Sequence, residues 1–206
     1  MKNLILIFFI MQSFNGVALS LSDTLTSNNQ ALSRLLKLQP LQKEAIEIRI
    51  FKDRGITNGG EVLIMRNTGL KWEAFLYKYY YKVSKRGVEN KFKKLEVIAL
   101  KPKSNWTQFW NALKDNQLLS LPDDQLIEDK KRGPAEYNEF RQAVMYKKVD
   151  IMDGTGYDVE LKVDGLLRYY SYRNPEAYLE HFPQVEELQS FSGILHLIRQ
   201  EFSITF

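Results

Sequence analysis

Between residues 44 and 206 the chain alternates hydrophobic and polar positions in two rhythms, and the changes of rhythm mark its elements. Ile46, Ile48 and Ile50 interleave with Glu47, Arg49 and Phe51, the period of two expected of a strand with one buried face. A loop is expected over Asp53-Arg54-Gly55 and Asn58-Gly59-Gly60, a second strand over residues 62–66, and a turn at Asn67-Thr68-Gly69. The third strand, residues 71–81, reads KWEAFLYKYYY and is bulky on both sides. Trp72, Leu76 and Tyr80 share one face; Phe75, Tyr77, Tyr79 and Tyr81 share the other. Either both faces are covered, or the tyrosines form a platform for a ligand. Leu95, Val97 and Ala99 predict a fourth strand, completing an antiparallel meander.

The period then lengthens. Trp106, Phe109, Trp110 and Leu113 recur at helical spacing behind Ser104 and Asn105, either of which suits an N-cap. Two tryptophans four residues apart are also candidates for stacking on a sugar, although the same positions define the helix's buried face. Residues 123–142 form the most polar segment, expected as a long loop with a helical turn at 136–142, followed by a strand over 144–151. Next comes the sharpest signal in the chain. Tyr157, Val159, Leu161 and Val163 alternate with Asp158, Glu160 and Lys162, Asp164-Gly165 supplies the positive φ of a two-residue turn, and residues 166–172 return. Asn174-Pro175 opens a short helix over 175–182. Val185, Leu188, Phe191, Leu195, Ile198 and Phe202 mark a final amphipathic helix. Strands followed by a helix occur twice, over 45–117 and 144–202. The expected fold is α+β, a mainly antiparallel sheet with two or more amphipathic helices packed on one face.

The first 43 residues follow neither rhythm. Lys2, the apolar run of residues 4–11 and the small residues Gly16, Ala18 and Ser20 read as a cleaved signal peptide over 1–20, too short to span a membrane as a helix. Residues 21–43 read as an N-terminal arm, with a short helical period at Leu32, Leu35 and Leu36 ended by Pro40. Residues 44–206 then make a single domain. This organisation implies export to the periplasm, cell surface or medium, with no transmembrane segment in the mature chain. There is no cysteine, so disulfides, thiolate nucleophiles and cysteine metal sites are excluded.

Charge adds one feature. The net charge is only +4, but residues 78–103 carry Lys78, Lys82, Lys85, Arg86, Lys91, Lys93, Lys94, Lys101 and Lys103 against Glu89 and Glu96. An exported protein is not expected to meet nucleic acid. The stretch suits contact with an anionic surface through Lys78, Lys82, Lys85, Arg86, Lys93 and Lys94, or lysines that guard an exposed edge strand.

Candidate chemistry is sparse. His181 and His196 have no companions at metal-ligand spacing, and both read as structural, His196 at the core boundary. Asp153-Gly154-Thr155-Gly156 lacks the further acids of a calcium loop and reads as a tight turn. No metal, cofactor or catalytic residue is therefore assigned. The most distinctive polar cluster, Arg168, Tyr170, Tyr172, Arg173 and Asn174 on the return strand, singles out its two arginines and two tyrosines, together with Tyr157 of the strand before the turn. These are the candidate ligand-binding residues, since arginine beside tyrosine can grip an anionic or sugar ligand. The competing reading pairs Arg168 with Glu160 or Asp158 across the hairpin.

Trp106, Trp110 and Leu113, Leu119-Ser120-Leu121-Pro122-Asp123, Asp153-Gly154-Thr155-Gly156-Tyr157 and Tyr170-Ser171-Tyr172-Arg173-Asn174-Pro175 together resemble a family of small exported Bacteroidota proteins. The resemblance covers roughly the mature domain and implies export and a single domain, but no chemistry, because that family has no assigned activity. The expected function is a non-enzymatic binding module of the cell envelope with an unidentified protein or glycan partner. The alternative is a carboxylate-dependent hydrolase using Asp150, Asp153, Asp158 or Glu160.

Overall fold

The computed structural model describes residues 29–38, 46–53, 57–85, 87–146 and 148–206. The signal segment, Arg54-Gly55 and Arg86 lie outside the described residues. The chain divides into two compact units, Met1–Pro40 and Leu41–Phe206. In the first, residues 29–35 form helix α1, with Leu32 and Leu36 buried.

The second unit contains strands β1 (Ile46–Asp53), β2 (Gly59–Asn67), β3 (Trp72–Ser84) and β4 (Gly87–Leu100), then helix α2 (Trp106–Asp115) and a 3-10 helix (Asp124–Lys130). Strands β5 (Ala135–Asn138) and β6 (Ala143–Tyr146), β7 (Gly156–Val163) and β8 (Leu166–Arg173) follow, and helices α3 (Pro175–His181) and α4 (Glu186–Phe202) close the chain. Six strands make one antiparallel sheet in the order β4-β3-β2-β1-β7-β8, and β5 and β6 pair separately. The fold is α+β.

Register explains why one side of the sheet is a core. Leu76 faces Leu63, Leu63 faces Ile50, Ile50 faces Val159 and Val159 faces Tyr170, an apolar row crossing five strands. Met65, Ile48 and Leu161 form the next row on the same face. Phe109 and Leu113 of α2 and Leu188, Phe191, Ile194, Leu195 and Ile198 of α4 join these residues in one buried cluster. Asn105 caps α2, its side chain accepting from the Gln108 amide at 2.9 Å. The parity read for β3 holds. Trp72 stacks on Trp106 at 5.4 Å between ring centroids and also meets Trp110, so this aromatic pair on α2 packs against the sheet. Tyr79 is buried on the other face, beside Tyr81 and Phe92.

The central hairpin forms as read, with φ of 50° at Asp164 and 78° at Gly165. Four other expectations give way. Gly59-Gly60 begins β2 instead of a turn: a Cβ at Gly59 would lie 2.5 Å from the Tyr79 carbonyl, and one at Gly60 2.5 Å from the Tyr79 hydroxyl. The glycines are required by the rings packed over them. Residues 136–142 are not a helical turn, because Ala135–Asn138 pairs with Ala143–Tyr146 as a hairpin. The strand expected over 144–151 accordingly ends at Tyr146, its apolar residues having been recruited by β5. His196 is exposed on α4 and not at the core boundary.

Candidate functional site

The five residues singled out on the hairpin do not share one environment. Tyr157, Tyr170 and Tyr172 are only 2%, 3% and 0% exposed, while Arg168 is half-buried and Arg173 exposed. The register sets Arg168 opposite Leu161, on the helix-bearing face, so it cannot reach Glu160 or Asp158 on the other side. It is Arg173 that pairs with Asp158, at 3.3 Å. The Tyr172 ring stacks on Phe191 at 4.4 Å, and burial pushes its hydroxyl above the ordinary tyrosine range. Burial likewise pushes Tyr157 up to about 12, although Arg199, 3.2 Å from its hydroxyl, works in the opposite direction.

What this strand grips is the chain's own segment between α2 and the 3-10 helix. Tyr170 donates its hydroxyl to the Leu118 carbonyl at 3.0 Å, and Arg168 donates to the Leu121 carbonyl at 2.9 Å. Asp123 accepts from both the backbone N–H and the hydroxyl of Ser171, at 2.9 and 3.2 Å. Asp124 accepts from the Arg173 N–H at 3.3 Å and from the Lys131 ammonium at 2.8 Å. Burial raises the Asp124 carboxyl and Lys131 opposes that shift. Burial also works against the charge on Lys131, but the hydrogen bonds of Asp124 and Glu128 outweigh it and hold the ammonium above its usual range. Two of the quoted motifs, Leu-Ser-Leu-Pro-Asp and Tyr-Ser-Tyr-Arg-Asn-Pro, are thus the two sides of one internal contact.

The turn before β7 is locked in a similar way. Asn174, at φ 48°, donates its side-chain amide to the Ile151 carbonyl, and a Cβ at Gly154 would collide with it at 1.6 Å. This accounts for the Asp-Gly-Thr-Gly sequence as a close-packed turn.

The carboxylates considered for catalysis lie in separate settings. Asp150 is exposed and paired with Lys148, and Asp153 is exposed in the loop. Asp158 is held by Arg173. Glu160 is only 5% exposed on the face away from α2 and α4, and burial raises its carboxyl against the pull of Arg49. Among the described residues no three or more histidines and carboxylates converge as metal ligands would, and no helix is long and apolar enough to cross a membrane.

Solvent-facing apolar groups gather elsewhere. On the β5–β6 hairpin Tyr137, Val144, Met145 and Tyr146 are exposed, and Phe140 at its tip is 96% exposed. Glu136, Tyr137, Asn138, Met145 and Tyr146 line a hollow of roughly 260 Å3. Sequence reasoning missed this element because its polar neighbours masked a four-residue strand; the signal available was the apolar run Ala143-Val144-Met145-Tyr146. A second set lies on β4, where Leu95 is 43% and Val97 50% exposed on the sheet's outermost strand. Comparison with family models, with curated proteins and with solved structures finds no match for this chain.

Proposed function

We propose that this protein is an exported, non-enzymatic interaction module of the cell envelope, binding a protein or glycan partner. The observation that carries the reading is the projecting β5–β6 hairpin, which presents Tyr137, Phe140, Val144 and Tyr146 to solvent, with Tyr137 and Tyr146 lining a hollow. Large side chains kept out of the core on a projecting element are typical of a contact surface. Export rests on the pattern of residues 1–20. The test changes Phe140 and Tyr146 to Ser together and follows capture of envelope components by the full chain. Loss of capture with unchanged thermal unfolding supports the reading, and undiminished capture counts against the hairpin.

The hydrolase alternative draws on one observation, the raised carboxyl of Glu160, since burial that raises a carboxyl lets it hold its proton to higher pH, as a general acid must. Its deep burial and the dispersal of the other acids weigh against it. Turnover of envelope polysaccharide or peptide that disappears in Glu160→Gln would establish hydrolysis and displace the binding module.

A further inference from the structure

The two edges of the six-stranded sheet are finished differently. On β8 the outward N–H groups of Ser171 and Arg173 are taken by Asp123 and Asp124. Because hydrogen-bonding direction alternates along every antiparallel strand, these two amides fix the direction for the whole sheet. Tracing the register from Ser171 through Asp158, Phe51, Val62 and Tyr77 reaches Val97, whose backbone N–H and carbonyl therefore point away from β3. Leu95 and Ala99 point the same way. The bond from the Tyr81 N–H to the Asn58 carbonyl, on the β2 side of β3, agrees with this assignment.

Edge strands are commonly guarded by lysine and by bulges, and β4 has both, but only in its first half. The register shifts lie opposite Tyr80–Val83, and Lys91, Lys93 and Lys94 are clustered there. From Leu95 to Leu100 pairing with β3 is regular, and no lysine intervenes. This length presents the exposed side chains of Leu95 and Val97 beside an outward row of peptide groups. Lys82 lies 3.5 Å from Glu89, and Lys94 lies 3.4 Å from Glu96. Lys85, Lys91 and Lys93 have no carboxylate within salt-bridge distance among the described residues.

We infer that the outer edge of β4 receives an extended, acidic segment of a partner protein as a seventh strand. Backbone groups at Leu95, Val97 and Ala99 supply the ladder, alternate apolar side chains cover Leu95 and Val97, and acids run alongside Lys85, Lys91 and Lys93. A second copy of this chain is a poorer occupant, since its own β4 brings the same excess of lysine to the pairing. The inference rests on the binding-module reading and gives that module a partner class.

The probe is a short fluorescent peptide that alternates valine with threonine and carries a run of glutamates at one end. It is titrated against the full chain by anisotropy, with mass spectrometry on the same samples. The expected result is saturable binding that weakens with added salt, falls about tenfold or more in Val97→Pro and in the paired Lys91→Glu, Lys93→Glu variant, and is lost when alternate peptide amides are N-methylated. The charge-reversed variant changes only exposed side chains, so it remains informative if the proline variant unfolds. Absence of binding, equal binding of a peptide with lysine in place of glutamate, or self-association of the chain that Val97→Pro abolishes would each overturn the inference. Binding unchanged in both variants would overturn edge docking while leaving a binding module in place. Cleavage of the peptide would overturn the module reading itself.

Discussion

The strands at the two ends of the sheet solve the same problem in opposite ways. On β8 the outward peptide groups are met by carboxylates from the segment after α2, and one of these, Asp124, is itself clamped by Lys131, whose side chain is only 2% exposed. On β4 the chain offers lysines and a pair of register shifts along the first half and leaves the rest open. An edge closed by buried, charge-assisted hydrogen bonds belongs to the stability of the fold. An edge guarded only by surface charge can be changed at little cost, and is free to serve recognition.

The largest test of this contrast removes the clamp. Asp124→Ala strips Lys131 of one of its two acid partners and orphans the Arg173 amide, and should cost about 3–5 kcal/mol in denaturant unfolding. A loss under about 1 kcal/mol would mean the seal is not structural. Next comes the same substitution made at matched positions on the two edges. Ser171→Pro deletes an amide bonded to Asp123 and should cost about 3 kcal/mol. Val97→Pro deletes an outward amide on the open edge and should leave stability within about 1 kcal/mol of the parent. Similar losses at both would erase the distinction.

The smallest effect concerns an acid one strand in from the sealed edge. Glu160 is buried without the clamp that Asp124 enjoys, and its carboxyl is raised in the fold. A raised acid lends its full stabilisation below the unfolded value, about 4.3, and loses it as pH climbs through the folded value. Glu160→Gln should therefore gain about 1 kcal/mol near neutral pH, and the gain should vanish in acid. Stability curves of the two proteins that run parallel across that range would show that Arg49 already neutralises the cost.

Where periodicity was strong the sequence was legible. The β7–β8 hairpin, α2 and α4 follow from alternation, a turn dipeptide and helical spacing, because burial on one side imposes those patterns. The β5–β6 hairpin was not, since two exposed four-residue strands leave no buried face to write a pattern. The binding residues chosen on β8 show the same limit from the other direction. Tyrosine and arginine in a row look identical in sequence whether they meet a ligand or, as Arg168 and Tyr170 do, the carbonyls of Leu121 and Leu118, 47 and 52 residues earlier. Nor could one strand say that Asp123 and Asp124 would lie along its edge. Such long-range partners are a property of topology.

All three tryptophans of the chain, Trp72, Trp106 and Trp110, meet where β3 receives α2. Intrinsic emission is therefore a local spectroscopic reporter of that junction, and the β7–β8 and α4 end contributes only tyrosine signal. Two of these indoles stack with 5.4 Å between ring centroids, and such fixed, asymmetric packing gives aromatic rings a near-ultraviolet dichroism band. Melting followed by that band and melting followed by far-ultraviolet ellipticity would trace the first half of the domain and the whole of it separately.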